Sequence, residues 1–192
     1  DTILDTDALK NFVNTAKQIK YFSLIGPNQN EQIKKGSKEQ NILEVKNIKG
    51  FAIFFNMKNF LNQNYFDENY FLYFEEIDLC RQIIRKKEKI YINEKIKVYH
   101  FGGESVKSFN KLEIEKSRNW HWMWSTFYYH KKNYNFIYSL IIIFPKLISS
   151  ISKYLFFSIF LDKKKKIIYL YRLKGIINSI LNKKSWYRPS LD

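Results

Sequence analysis

The sequence predicts an α/β domain followed by a helical tail. Short apolar runs that are typical of strands alternate with helix-like segments up to about residue 105, whereas the later segments all have helical spacing. We therefore expect an α/β part over residues 1–110 and a helical part over residues 111–192. The chain has 192 residues, of which 45% are hydrophobic, so it can bury a core and is not a disordered chain.

The first elements follow from local patterns. A helix is predicted over residues 5–20, because three capping candidates at residues 5–7 precede apolar side chains at helical spacing. These apolar residues are Leu9, Phe12, Val13, Ala16 and Ile19. The apolar run 21–27, which Gly-Pro stops, predicts a buried strand. Residues 28–41 are polar and predict a surface loop. The stretch 42–56 is strand-like, and Gly50 marks either a break or a close approach of the backbone.

The remaining elements lead to the tail. Residues 57–71 predict a short helix and a turn, and residues 75–85 have the spacing of a helix. Residues 89–100 alternate between apolar and polar and predict one or two strands that end at His100. From Lys111 onward the pattern is helical.

The tail contains a long apolar stretch, residues 133–161. We expect no membrane span, because the longest uncharged run, Asn133–Pro145, has 13 residues and Lys146 and Lys153 interrupt the rest. One helical face collects apolar residues and another collects lysine and serine, and four lysines follow at Lys163–Lys166. This pattern favours a helix in the interface of an anionic membrane. The alternative is an ordinary amphipathic helix that packs on the domain.

Positive charge is concentrated in the C-terminal third. Residues 131–192 carry 13 Lys/Arg and two Asp/Glu, for a charge of +11, whereas residues 1–130 carry 20 and 16, for +4. The asymmetry indicates an anionic partner, either a nucleic acid or a membrane leaflet. Lysine outnumbers arginine 28 to 5. Because sequence-reading nucleic-acid sites favour the arginine fork, we expect a membrane, contacted through residues 133–188, and no nucleic acid.

The single cysteine, Cys80, excludes a disulfide framework and a cysteine zinc site, so a reducing, cytoplasmic compartment is expected.

The densest cluster of chemically active side chains lies in the segment Phe66–Cys80. Carboxylates set among aromatic residues lose solvation and repel one another, so a cation or a raised pKa must compensate. A metal, a phosphate-bearing substrate with its metal, or a catalytic base would explain the cluster. The alternative is that the carboxylates cap a turn and begin a helix. They are Asp67, Glu68, Glu75, Glu76 and Asp78.

Three motifs occur in order: GFAIFF from Gly50, FDENYFLYFEEIDLC from Phe66 and HFGGES from His100. Together they resemble the C-terminal part of the catalytic domain of the inverting family 2 glycosyltransferases, most closely the bacterial rhamnosyltransferase-like branch. They match the family's Gly-Ala-rich strand, its FDE segment with the ED and DLC motifs, and its H-x-GG-S motif. The opening DTILDTDAL looks like the family's NPDT segment entered at its aspartate, so the resemblance covers about residues 1–135.

The resemblance implies a partial GT-A (Rossmann-like) domain that lacks its N-terminal nucleotide-binding strands, because those strands would precede Asp1. We therefore expect the chain to be the C-terminal part of a longer enzyme. The implied activity is transfer of a sugar, with inversion, from a nucleotide-sugar donor to a cell-surface polysaccharide or lipid-linked acceptor. Rhamnose or another deoxyhexose is favoured. The implied location is peripheral, at the cytoplasmic face of the cell membrane.

The resemblance also implies catalytic roles. Glu76 stands in the place of the family's catalytic aspartate and would be the general base that deprotonates the acceptor hydroxyl. Glu75 and Asp78 would orient this base and the acceptor. Glu76 is one methylene longer than the family's aspartate, and Gln82 stands where the family has an arginine.

Binding roles follow in the same way. Asp1 and His100 would bind Mg²⁺ or Mn²⁺, which would neutralise the leaving nucleoside diphosphate. Gly50 and Phe51 would face the sugar or the acceptor. Trp120 and His121 could line the edge of the acceptor cleft, although their aromatic row is more typical of a core or interfacial helix face.

The DxD string over residues 5–7 is expected to cap the first helix rather than to bind metal.

Two further hypotheses about function stay open. A non-catalytic module that binds a membrane or an anionic polymer would explain the basic, aromatic tail without any chemistry. An RNA-binding protein fits the charge but lacks a recognised RNA motif.

Overall fold

Strands and short helices come first in the chain, and three long helices come last. The computed structural model describes residues 2–28, 41–60, 65–101 and 111–190. The chain divides into a first unit, Asp1–Asp67 with Glu75–Lys107, and a second unit, Glu68–Phe74 with Ser108–Asp192. The architecture is mixed α/β. The junction lies close to the boundary expected near residue 110, but residues 68–74 group with the helices.

In its described residues the first unit has short strands, two α-helices and one turn of 3₁₀-helix. In chain order the described elements are β1 (Thr2–Leu4), α1 (Ala8–Gln18), β2 (Leu24–Pro27), β3 (Ile42–Val45), β4 (Phe54–Phe55), the 3₁₀ turn (Met57–Phe60), α2 (Glu75–Arg85), β5 (Ile90–Asn93) and β6 (Val98–His100).

Two sheets organise this unit. The larger has the order β3-β5-β2-β4, in which β2 and β5 run parallel and the other pairs antiparallel. All four residues of β2 are buried, which confirms the buried strand predicted from the apolar run. The smaller sheet pairs β1 with β6 antiparallel, and Thr2 lies opposite His100. Residues 89–100 therefore form two strands, and Gly50 lies in the break between β3 and β4.

Helix α1 buries a narrower face than its apolar spacing predicts. Phe12 is buried against β2, but Leu9 and Val13 are 64% and 43% exposed. The buried arc instead includes Thr15, whose hydroxyl donates to the Asn11 carbonyl and accepts from the amide of Asn93. Because these hydrogen bonds satisfy the hydroxyl, a polar residue takes a position that the apolar pattern alone would not select.

The second unit is a three-helix assembly formed by α3 (Lys111–Asn133), α4 (Phe136–Ile159) and α5 (Lys163–Ile180). The side chains of Asn135 and Asp162 cap α4 and α5. Each accepts a hydrogen bond from the backbone amide three residues later in the chain. Pro145 lies inside α4, which continues through it. The core joins side chains of all three helices: Met123, Phe127, Ile143, Leu147, Ile176 and Ile180.

By length and composition, α4 could cross a membrane. It has 24 residues and an 18-residue window with a mean hydropathy of 1.6, of which 11% is buried inside the protein. We expected no span because Lys146 and Lys153 interrupt the apolar stretch. The mean hydropathy of α4 is nevertheless high enough for a span, even though the helix contains both lysines. Length and composition do not distinguish a helix that spans a membrane from one that lies along its surface.

Helices α3 and α5 approach each other closely at Gly175. A Cβ atom added there would lie 2.3 Å from the carbonyl oxygen of Trp120. The obstacle is backbone of the neighbouring helix, so a rotamer change cannot remove it. The glycine therefore sets the distance between α3 and α5.

We predict that Gly175→Ala destabilises the chain by about 2 kcal/mol, because the two helices must separate to admit the methyl group. At an open helix position the same change would stabilise the chain by about 1 kcal/mol. The sign of the change in the free energy of unfolding therefore shows whether the two helices are in close contact at Gly175. Urea unfolding of the variant measures this, with the exposed neighbour Lys174→Ala as the control. An increase in stability for Gly175→Ala would contradict the close approach.

Candidate functional site

Glu76 lies in the first turn of α2, where its side chain is half-buried. Burial raises the pKa of its carboxyl above the usual 4.5; a hydrogen bond from its own backbone amide opposes this rise, and the charge of Glu75 adds to it. Carboxylates in the first turn of a helix are favoured by the helix dipole. Here burial outweighs that preference, so Glu76 is more basic than an exposed glutamate.

Gly50 lies directly beside Glu76. A Cβ added to Gly50 would lie 3.5 Å from Cβ of Glu76 and 3.9 Å from its carboxyl carbon, Cδ. These are ordinary contact distances, so a side chain could be accommodated, but it would cover the carboxyl group. A side chain at position 50 would therefore meet Glu76, the side chain that the motifs mark as the catalytic base.

Phe51 and His100 stack on each other in the same unit. Their ring centroids are 4.7 Å apart and the ring planes differ by 9°. His100 ends β6, is exposed, and has Thr2 as its register partner across the small sheet. The structure thus links four residues singled out from the sequence: Gly50 contacts Glu76, and its neighbour Phe51 contacts His100.

Two further carboxylates of the cluster, Glu75 and Asp78, lie in the same helical turn as Glu76. Oε2 of Glu75 is buried and has no hydrogen-bond partner among the described residues. Asp78 is fully buried, and its Oδ2 accepts from the side-chain amide of Gln82 at 2.8 Å. The structure therefore gives Asp78 no direct access to an acceptor. The Asp78–Gln82 pair is one that the spacing of four residues could have revealed, because such residues share a helix face.

The two residues that precede α2 have an unusual backbone conformation. Tyr73 and Phe74, the two residues before Glu75, have left-handed backbone, with φ of 68° and 72°. Non-glycine residues in this region cost energy and are concentrated at functional sites. Within α2, burial raises the pKa of the Cys80 thiol to about 11, so this cysteine is not a nucleophile at neutral pH.

The expected metal ligands are described only in part. Asp1 lies outside the described residues, and His100 is an exposed side chain at the end of β6. Over residues 2–28, 41–60, 65–101 and 111–190, no group of three or more His, Cys, Asp or Glu could hold a metal ion. A magnesium ion held mainly by substrate phosphates needs only one or two protein ligands. Among the described residues there is therefore no metal site built from three or more protein ligands.

Trp120 and His121 lie in the interior of the second unit, and both are fully buried. Nε2 of His121 contacts the Tyr187 carbonyl at 2.8 Å, so it carries the hydrogen, and Nδ1 accepts from the Ser185 hydroxyl at 2.9 Å. Burial lowers the pKa of His121 to about 4, and the charge of Arg188 contributes. These contacts give the pair a packing role in place of the expected edge of an acceptor cleft, and no sequence signal identified the partners.

The DxD string lies at the start of α1. The side chain of Asp5 accepts from the backbone amide of Thr6 at 2.7 Å, and Asp7 occupies the N-cap position without a side-chain cap bond. The expected capping is therefore wrong for Asp7, although the string does lie at the helix start.

The first unit has two open cavities of about 550 and 380 Å³. Neither is lined by Glu76, Gly50 or His100.

No protein-family model, curated protein or solved structure matches this chain.

We predict that Glu76→Gln removes a pH-dependent loss of stability. A raised pKa means that the folded state binds the proton more tightly than the unfolded state, so wild-type stability falls as pH rises from 4.5 through the folded pKa. Unfolding at pH 4 and pH 8 should show that Glu76→Gln is relatively more stable at the higher pH. The exposed Glu68→Gln serves as control, and equal pH profiles for both variants would contradict the burial effect.

His121 should produce the opposite dependence. Its folded pKa of about 4 lies below the unfolded value of 6.5, so its contribution is complete above pH 6.5 and is lost as pH falls towards 4. The predicted loss is about 3 kcal/mol at most. The difference between wild type and His121→Gln in the pH dependence of the free energy of unfolding isolates the contribution of His121, because the other groups titrate in both proteins. Parallel curves between pH 4 and 6.5 would show that His121 is not held neutral.

Proposed function

We propose that the chain belongs to a glycosyltransferase and that Glu76 is its general base. The observation that carries the proposal is the position of Glu76: a half-buried carboxylate with a raised pKa lies beside Gly50, which adds no side chain over it. The motif order, from Gly50 through the carboxylates to His100, supports the same assignment.

In the proposed reaction, the Glu76 carboxylate takes the proton from an acceptor hydroxyl. The acceptor oxygen then forms a bond to the anomeric carbon as the bond from that carbon to the diphosphate oxygen breaks. Displacement from the opposite face inverts the anomeric centre, and the nucleoside diphosphate leaves with the bonding electron pair. A base whose pKa is raised towards the working pH is better suited to this step than an ordinary carboxylate.

The remaining residues have supporting roles in this proposal. Glu75, whose Oε2 is buried without a hydrogen-bond partner among the described residues, adds to the raised pKa of Glu76 through charge repulsion. Asp78, held by Gln82, acts through the position of α2. Phe51 and His100 form an aromatic surface for the sugar or acceptor. A Mg²⁺ or Mn²⁺ ion bound by Asp1 and His100 would neutralise the diphosphate.

The proposed substrates are a nucleotide-sugar donor, with rhamnose or another deoxyhexose favoured, and a polysaccharide or lipid-linked acceptor. The proposed location is peripheral, at the cytoplasmic face of the membrane. A second candidate is a non-catalytic membrane-binding module, which the exposed apolar side chains of α4 favour. The two candidates differ in whether Glu76 matters for sugar transfer.

We predict that Glu76→Gln lowers kcat for sugar transfer by about 10²- to 10⁴-fold, the usual contribution of a general base, in the protein expressed from its complete reading frame. Glu76→Asp should retain more activity, because it keeps a carboxylate. The exposed Glu44→Gln in the same unit is the control and should stay close to wild type. Unchanged transfer by Glu76→Gln would remove Glu76 as the base, and absence of transfer in the wild type would favour the non-catalytic module.

A further inference from the structure

Helix α4 carries a continuous line of exposed apolar side chains. Their spacing of three or four residues keeps them on one face over about 33 Å, at 1.5 Å per residue. Their exposed fractions lie between 39% and 76%. We call them the apolar stripe: Ile137, Ile141, Phe144, Ile148, Ile151, Leu155 and Ile159.

The packing of α4 within its own unit uses a different face. Ser139, Ile143 and Ser150 are buried, and Ile143 packs with Phe127 of α3 and Ile176 of α5. Lys153 lies over the ring of Tyr169 on α5, with 5.4 Å between Nζ and the ring centroid. The apolar stripe is therefore additional to the apolar surface that holds the three helices together.

Aromatic residues and lysines lie at both ends of the stripe. At its N-terminal end, Tyr134 and Tyr138 are 48% and 37% exposed and follow Lys131 and Lys132. After it, Phe160 and Leu161 are 66% and 80% exposed and precede the run Lys163–Lys166. Aromatic rings and lysines are the side chains that favour the headgroup region of a bilayer.

We infer that α4 lies in the plane of an anionic membrane with the apolar stripe inserted among the acyl chains. Its lysine-flanked ends then lie at headgroup level, and the +11 charge of residues 131–192 attracts anionic lipid. The inference develops the membrane partner named above. It rests on the stripe and stands separately from the chemistry of Glu76.

Packing within the unit argues against a spanning orientation. Because α3 and α5 pack along α4, a membrane-spanning α4 would carry both of them into the hydrocarbon. These helices bear many charged groups, and burying them in lipid is costly. An in-plane helix leaves both partners on the aqueous side. The charged residues include Glu113, Glu115, Lys116 and Arg118 on α3, and Lys163–Lys166, Arg172 and Lys174 on α5.

The charge also distinguishes a membrane from a second copy of the chain. Two copies that met through the stripe would bring two strongly basic regions together, and like charges repel. An anionic bilayer supplies both an apolar interior for the stripe and opposite charge for the lysines.

The test is co-sedimentation of the chain with phosphatidylcholine vesicles, with and without about one third phosphatidylglycerol. The triple variant Ile141→Gln, Ile148→Gln, Leu155→Gln should lower the partition coefficient on anionic vesicles at least about tenfold, because three inserted side chains become polar. The control Ser149→Gln changes an exposed neighbour outside the stripe and should stay within about twofold of wild type. Since all four positions are exposed, circular dichroism should show intact helices.

Three results would overturn the inference. Equal binding of the triple variant and the wild type would show that the stripe is not inserted. Retention of the wild type after an alkaline carbonate wash would indicate a spanning helix. Dimerisation that the triple variant abolishes, without vesicle binding by the wild type, would assign the stripe to a second copy. Vesicle binding by Glu76→Gln should equal that of the wild type, so failure of the transferase proposal would not affect this result.

Discussion

The partial burial of two adjacent carboxylates at the start of α2 is the constraint on which the first unit's proposed chemistry depends. Glu75 and Glu76 sit where the helix dipole favours negative charge, but burial and their mutual repulsion oppose ionisation of Glu76. A structure selected for stability alone would relieve this conflict with a cation or a neutral side chain. A half-buried carboxylate of this kind, beside a glycine that adds no side chain over it, is typical of a site that is arranged for proton transfer.

Local patterns could predict the elements that are governed by burial periodicity. The helix over residues 75–85 begins and ends where its spacing predicts, and the buried strand β2 follows from an apolar run between polar segments. The buried face of α1 was predicted incorrectly at Leu9 and Val13, because a hydrogen-bonded Thr15 occupies part of the core. Periodicity detects apolar positions and does not detect a polar residue whose hydrogen bonds are satisfied.

The candidate site could be predicted as a set of residues but not as a geometry. The sequence singled out Gly50, Phe51, Glu76 and His100, and the structure adds which of them touch. These contacts depend on how a loop, a helix start and a strand end meet, which no local pattern encodes. The environment of His121 shows the same limit, since its partners lie more than sixty residues away in the chain.

The central claim is that the folded protein makes Glu76 a stronger base than an ordinary glutamate. The most direct measurement is an NMR titration of the Glu76 side-chain carboxyl carbon in the folded chain. We expect a midpoint above 4.5 that falls when Glu75 is replaced by glutamine, because the repelling charge is removed. A midpoint at or below 4.5 that is insensitive to Glu75→Gln would contradict the account.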